Sequence, residues 1–260
     1  MELNLSGKKA LITGGSAGIG LAIANALAEE GCNLILVSRG QAGLTNAAEQ
    51  IRVRYGVDVT TEALDLAVDA NAAYLGATYS DIDILVNNAG AIPGGELTSL
   101  SQAKWREGWD LKVFGFIGVT REFYSSMCQR GHGVIINVIG ASATGLDHRY
   151  IAGSTGNAAL EALTLSLGSS SSDHGVRVVG ISPGLVLTER LKGILMGRAK
   201  QKLGDESRWL ELTATHPFQR AANVEEIAAT AAFLASPRSS YTSGTIVSID
   251  GGFSRRHNWW

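Results

Sequence analysis

The chain has 260 residues, 45% of them hydrophobic and 18% charged, with 32 glycines, which suits one α/β domain with a large core and many tight turns and argues against disorder. A net charge of −2 without long runs of one sign argues against nucleic acid or an anionic membrane surface as partner, and apolar stretches broken well before about 20 residues leave no bilayer-spanning helix. Cys32 and Cys128 form no disulfide framework, and His132, His148, His174, His216 and His257 are scattered without ligand spacing, so no metal is expected.

Met1-Glu2-Leu3-Asn4 runs almost directly into the first strand, which leaves no room for an export signal, and a cytoplasmic protein is expected. Strand-like residues 9–13, helix-like 21–30 and strand-like 33–38 read as a βαβ unit. The alternation continues with a helix over 43–55, a strand near 57–63, a helix around 69–79 and a strand over 82–87. Helices near 101–129 and 157–170 are separated by a strand at 133–139. Strands at 176–182 and 245–249 then bracket a more irregular region. Strands that are apolar throughout suit a parallel sheet covered on both faces. The pattern predicts a single doubly wound, Rossmann-type α/β domain over residues 1–260, with a mostly parallel central sheet. No linker, low-complexity tract or repeat divides it.

The first strand opens into Thr13-Gly14-Gly15-Ser16-Ala17-Gly18-Ile19-Gly20. Glycines here let the backbone bend sharply, approach a pyrophosphate and present N–H groups at a helix N-terminus. Glycine-rich turns also serve ordinary loops, but the placement between a strand and a helix favours the phosphate cradle.

That turn, with Asn87-Asn88-Ala89-Gly90 after the fourth strand and the closing Asp250-Gly251-Gly252, resembles the short-chain dehydrogenase/reductase family over nearly the whole chain. The resemblance implies hydride transfer between a nicotinamide cofactor and a carbonyl or secondary alcohol of a small, moderately hydrophobic substrate. It places Gly14, Ser16, Ala17, Gly18, Ile19 and Gly20 around the pyrophosphate, Ser38 and Arg39 at the adenosine ribose, and Asp65 and Leu66 at the adenine. Asn88, Ala89 and Gly90 then lie along the cofactor, with Pro183, Gly184, Val186 and Thr188 at its nicotinamide end. It further implies a substrate lid around 185–217 and a homo-oligomer, a dimer or tetramer. A carboxylate after the second strand would repel a 2′-phosphate. Ser38 and Arg39 stand there instead, which favours NADP(H) over NAD(H), although Arg39 is also open to reading as a solvated charge.

Four residues carry the family's chemistry: an Asn, a Ser, a Tyr and a Lys four residues after the Tyr. Counting in register from Gly90 lands on Lys112, Gly140, Gly153 and Asn157. Anchoring Tyr150 as the acid instead leaves Ser154 where the Lys belongs, so neither alignment restores the set. One way to rebuild it places the Tyr150 phenol, one turn before Gly153, in the pocket. Lys112 then supplies the missing charge, Ser142 the orienting hydroxyl and Asn157 a further polar group. His148 and Asp147 are additional candidates on the intervening loop. Ordinary roles stay open for each: a cap, a packed ring, an ion pair. Two other readings also stand, a catalytically silent NADP(H)-binding sensor or structural subunit, and an enzyme that uses Lys112 in a different reaction. Ile92, Leu146, Leu191, Ile194 and Met196 are the candidate apolar contacts of a substrate, and Trp259 and Trp260 are expected to dock on a neighbouring subunit or near its pocket.

Overall fold

Within the first strand, Ala10, Leu11, Ile12 and Thr13 are all buried, with no alternation, because both faces of the sheet are covered. In the computed structural model, which describes residues 2–256, seven strands form this sheet. They are β1 (Lys9–Thr13), β2 (Asn33–Ser38), β3 (Val59–Ala63), β4 (Ile84–Asn87), β5 (Gly133–Val138), β6 (Val176–Pro183) and β7 (Thr245–Ile249). They lie in the order β3-β2-β1-β4-β5-β6-β7, and every adjacent pair is parallel. The order reverses between β1 and β4, which opens a crevice at their carboxyl ends. The helices are α1 (Gly18–Glu29), α2 (Gln41–Tyr55), α3 (Asp69–Thr78), α4 (Gln102–Trp109), α5 (Gly115–Arg130), α6 (Ile151–Ser171), α7 (Glu189–Leu203) and α8 (Val224–Ala235).

Adjacent residues of one strand feed opposite layers. Ile12 joins Ile23, Leu27, Leu44, Ile51 and Ile227 beneath α1, α2 and α8, whereas Leu11 joins Leu75, Phe123 and Met127 beneath α3 and α5. On that second face α6 lies so close to the sheet that a methyl group at Gly168 would overlap the Gly244 backbone and reach 2.6 Å from the Val178 carbonyl. Neither backbone can yield. Gly168→Ala is therefore expected to cost about 1–3 kcal/mol in urea unfolding despite its better helix propensity; an unchanged midpoint would contradict this packing.

Three expectations need correction. The helix foreseen over 101–129 is interrupted by a π-helical turn, Asp110–Phe114, between α4 and α5, a feature common at functional sites. The helix foreseen from residue 157 begins at Ile151, with Tyr150 at its N-cap position. The irregular stretch after β6 contains two helices, of which α8 is a core element with Ile227, Ala228, Ala231 and Leu234 buried. Its start is marked by a capping box, in which Asn223 and Glu226 each bond the other's backbone N–H. No helix of the described residues is long and apolar enough to cross a membrane. The expected docking of Trp259 and Trp260 lies outside the described residues.

Candidate active site

The crevice is built around Thr13. Its hydroxyl oxygen accepts the backbone N–H of Asn88 at 2.9 Å and of Ala89 at 3.0 Å, and the Asn88 amide donates back to the Thr13 carbonyl at 3.1 Å. These bonds lock the end of β4 against the glycine turn after β1. Gly14 and Gly18 hold φ values of +68° and +57°, where side chains are strained. A Cβ on Gly14 would lie 2.8 Å from the Asn88 amide nitrogen, and one on Gly20 would overlap the Gly14 carbonyl. The turn leads into α1, whose N-cap Ala17 offers no side-chain cap and whose first turn carries no acidic residue. Its uncapped N–H groups are thus free for an anion.

The other expected cofactor residues surround this turn. Ser16 packs beside Gly43, and Ile19 is half-buried at the start of α1. At the end of β2 the Ser38 Oγ is buried without a hydrogen-bond partner among the described residues, and Arg39 beside it is exposed. Leu66 is buried, and the Asp65 carboxylate accepts the Ala67 N–H at 3.1 Å. Across the crevice Gly184 donates to the Ile249 carbonyl at 2.9 Å, next to Pro183 at the end of β6. Val186 bridges to Ala222. The Thr188 methyl would lie 3.3 Å from a Cβ on Gly18, and its hydroxyl caps α7 by accepting the Leu191 N–H. A glycine cradle, an uncapped helix start and an orphaned buried hydroxyl fit a dinucleotide.

Next to this cradle, three polar side chains each lie on a glycine. The Lys112 side chain occupies the space a Cβ on Gly90 would need. A Cβ on Gly140, at φ +149°, would come within 2.9 Å of the Asn157 amide nitrogen. The Tyr150 ring fills the position of a Cβ on Gly153. Asn157 also donates to the Ser142 Oγ at 2.8 Å, while its own Oδ1 is buried without a partner among the described residues. Because Ser142 receives that bond through a lone pair, its O–H proton stays available.

Lys112 sits in the π-helical turn and is buried. Its ammonium donates to the carbonyls of Val138 at 2.9 Å and Ile139 at 3.1 Å and lies 4.7 Å from the Phe116 ring centroid. Burial pulls its pKa from 10.5 down to about 8. The expected partnership with Tyr150 is not what holds it, since its bonds are spent on the end of β5. Burial pushes the Tyr150 phenol up, and the cation that counters this is Arg190 at the start of α7, a residue that sequence reasoning had placed only in the lid. Asp147 is paired with Arg149 at 3.0 Å, which holds its carboxyl below the usual range, and His148 is exposed. Among the described residues neither side chain bonds to Lys112, Tyr150 or Asn157, and their ionic partners are Arg149, Glu96 and each other. Ile92 is a core residue, packed with Leu100, Ala152, Trp105, Trp109 and Tyr150. Leu146 and Ile194 are exposed, and Leu191 and Met196 half-buried. Trp109, unforeseen, donates its indole N–H to the Ala152 carbonyl at 2.9 Å and so ties α4 to the first turn of α6. Among the described residues no three metal-binding side chains converge.

A sequence profile described as enoyl-(acyl carrier protein) reductase matches residues 14–254, which takes in the glycine turn and the rest of the crevice beyond Thr13. The chain belongs to the short-chain dehydrogenase/reductase family. Its relatives in the family include galactitol 2-dehydrogenase (L-tagatose-forming) of Cereibacter sphaeroides, 34% identical with 96% of each chain covered. A 7alpha-hydroxysteroid dehydrogenase of Escherichia coli K12 is 30% identical over 96% of each chain. The crystal structure of L-sorbose reductase from Gluconobacter frateurii, complexed with NADPH and L-sorbose, superposes with a TM-score of 0.91 at 31% identity, covering 99% of this chain and all of the other. These short-chain dehydrogenase/reductase relatives are oxidoreductases acting on small molecules, and the family binds nicotinamide cofactors.

Proposed function

We propose that the protein is an NADP(H)-dependent oxidoreductase that reduces a carbonyl of a small, moderately hydrophobic substrate, with Tyr150 as the proton donor. The observation that carries this reading is the Tyr150 ring lying in the side-chain space of Gly153, where the family register calls for a tyrosine. The phenol reaches that place from one turn earlier.

The cofactor, when bound, supplies the hydride. The glycine turn from Gly14 to Gly20 would hold its pyrophosphate, Ser38 and Arg39 a 2′-phosphate, Asp65 and Leu66 the adenine, and Asn88, Ala89, Gly90, Pro183, Gly184, Val186 and Thr188 the remainder. Around the reacting carbonyl, Ser142 offers its free O–H and Tyr150 a phenol kept protonated by burial. A protonated phenol suits donation to a carbonyl oxygen better than abstraction from an alcohol. The orphaned Oδ1 of Asn157 would accept a hydroxyl of the ribose or the substrate, which would satisfy a buried polar atom. Lys112 contributes positive charge from the floor through the end of β5. The polyol and ketose chemistry named for two relatives makes ketoses the first substrates to screen. Assembly as a dimer or tetramer belongs to the same reading.

A second reading, a silent NADP(H)-binding protein, is favoured by two observations: the phenol is pushed up, and Lys112 is committed to backbone carbonyls. Titration of NADPH and NADH by nicotinamide fluorescence tests the shared part. Arg39→Ala is expected to weaken NADPH about tenfold or more and leave NADH within about twofold. Equal effects on both would remove the 2′-phosphate assignment. NADPH oxidation over a ketose and ketone panel separates the readings, since tight binding with no turnover on any member favours the silent protein.

A further inference from the structure

Beyond β7 the chain folds into a short turn that touches three of the segments around the candidate site. The Asp250 carboxylate shapes it by accepting the N–H groups of Gly252 and Ser254, each at 2.8 Å. On one side a Cβ on Gly184 would lie 2.8 Å from the Asp250 Cβ. On another, Ser254 would be 3.3 Å from a Cβ on Gly145, within the loop that joins Ser142 to Tyr150. On the third side the turn grips the end of the lid. Pro217 packs on Gly251, the Phe253 and His216 rings stack 5.0 Å apart at 29°, and Arg256 donates to the Thr215 carbonyl at 3.3 Å.

The lid end needs such a grip. Phe218 and Gln219 both hold φ +55°, a region non-glycine residues adopt only where their surroundings over-determine them. Gly251, Phe253 and Arg256 hold the residues before this strained pair, and the Arg220–Glu226 ion pair holds the residue after it.

We propose that the turn Asp250–Arg256 is a clasp that fixes the end of the lid against the loop bearing Ser142 and Tyr150, with Phe253 and Arg256 as positioning residues for substrate. The consequence for substrate rests on the reading of Tyr150 and Ser142 as the reaction site; the clasp itself does not. Further along, the chain is tied to the domain by the bridge of Ala222 to Val186 and by the Arg220–Glu226 ion pair at 2.7 Å, so the clasp acts on the lid side of these ties, at residues 215–218. Fixing the lid end against Gly145 sets the width of the opening that a substrate passes.

Hydrogen–deuterium exchange of the full chain, with and without NADPH, tests the clasp. The double variant Phe253→Ala/Arg256→Ala should exchange at least about fivefold faster in peptides covering 205–219, with β1, β4 and α1 unchanged and NADPH affinity within about twofold. The conservative pair Phe253→Tyr/Arg256→Lys keeps the stack and the carbonyl bond and should restore the slow rate. On any substrate found by the panel, the alanine pair should raise KM more than it lowers kcat. Unchanged exchange at 205–219 would overturn the proposal. So would acceleration spread through the sheet, because the turn would then support the core rather than the lid. Failure of the wild-type protein to bind NADPH would sink the reading of the site but leave the exchange comparison intact.

Discussion

Replacing Tyr150 by Phe is expected to lower turnover about a hundredfold or more, the range of a lost general acid, while changing folding stability by no more than about 1 kcal/mol. Gly153→Ala should damage both. An alanine Cβ there overlaps the Tyr150 ring, so the ring must leave its bed among Ile92, Leu100, Ala152, Trp105 and Trp109. Losing that packing should cost about 2–4 kcal/mol, against a gain of up to about 1 kcal/mol from replacing a glycine inside α6. The sign then depends on the background. In Tyr150→Ala there is no ring to expel, and adding Gly153→Ala should stabilise by up to about 1 kcal/mol. Urea unfolding of the four proteins in this cycle measures the coupling directly. Additive effects would mean that the ring does not occupy the space of the missing side chain, and the relocated proton donor would fall with it.

The same cycle shows why part of the site was legible in the sequence and part was not. The strands were legible because buried parallel strands are apolar at every position, as in Leu34-Ile35-Leu36-Val37, and the glycine turn because its residues act through their own backbone. Gly140 and Gly153 were read as missing groups and Gly90 as a cofactor contact, since a glycine in a sequence carries no sign of what fills its space. In the fold they are beds for Lys112, Asn157 and Tyr150. Only Tyr150 could be placed from helical spacing, and it was. The hold on Lys112 depends on a π-helical turn that aims it at the end of β5, and no periodicity marks such a turn. The electrostatic influence of Arg190 on Tyr150 joins elements 40 positions apart in the chain. Helix α8 was missed for a different reason: Asn223, Glu226 and the spacing of Ile227, Ala231 and Leu234 were visible but lay in a stretch whose weak pattern further upstream obscured them.

Stability between pH 8 and 10.5 should report on Lys112. The folded protein releases this proton near pH 8, whereas the unfolded chain holds it to its ordinary value of 10.5. Below pH 8 both states are charged, and the penalty of burying the ammonium is present in full. As pH rises through the window, the unfolded chain binds the extra proton, so this residue's contribution shifts in favour of folding. Integrated over the window the shift is about 3 kcal/mol. Urea unfolding of wild type against Lys112→Met isolates it, because other groups titrate alike in both proteins. The two pH curves should diverge above pH 8, with wild type gaining; parallel curves would mean that the Val138 and Ile139 carbonyls and the Phe116 ring hold the ammonium as well as water does. In that case Lys112 is a fixed cation throughout the working pH range. If the curves diverge, the positive charge at the floor of the site is itself titratable near neutral pH. Any turnover that depends on it should then decline as pH rises through 8, well before the Tyr150 phenol, pushed upward by burial, begins to ionise.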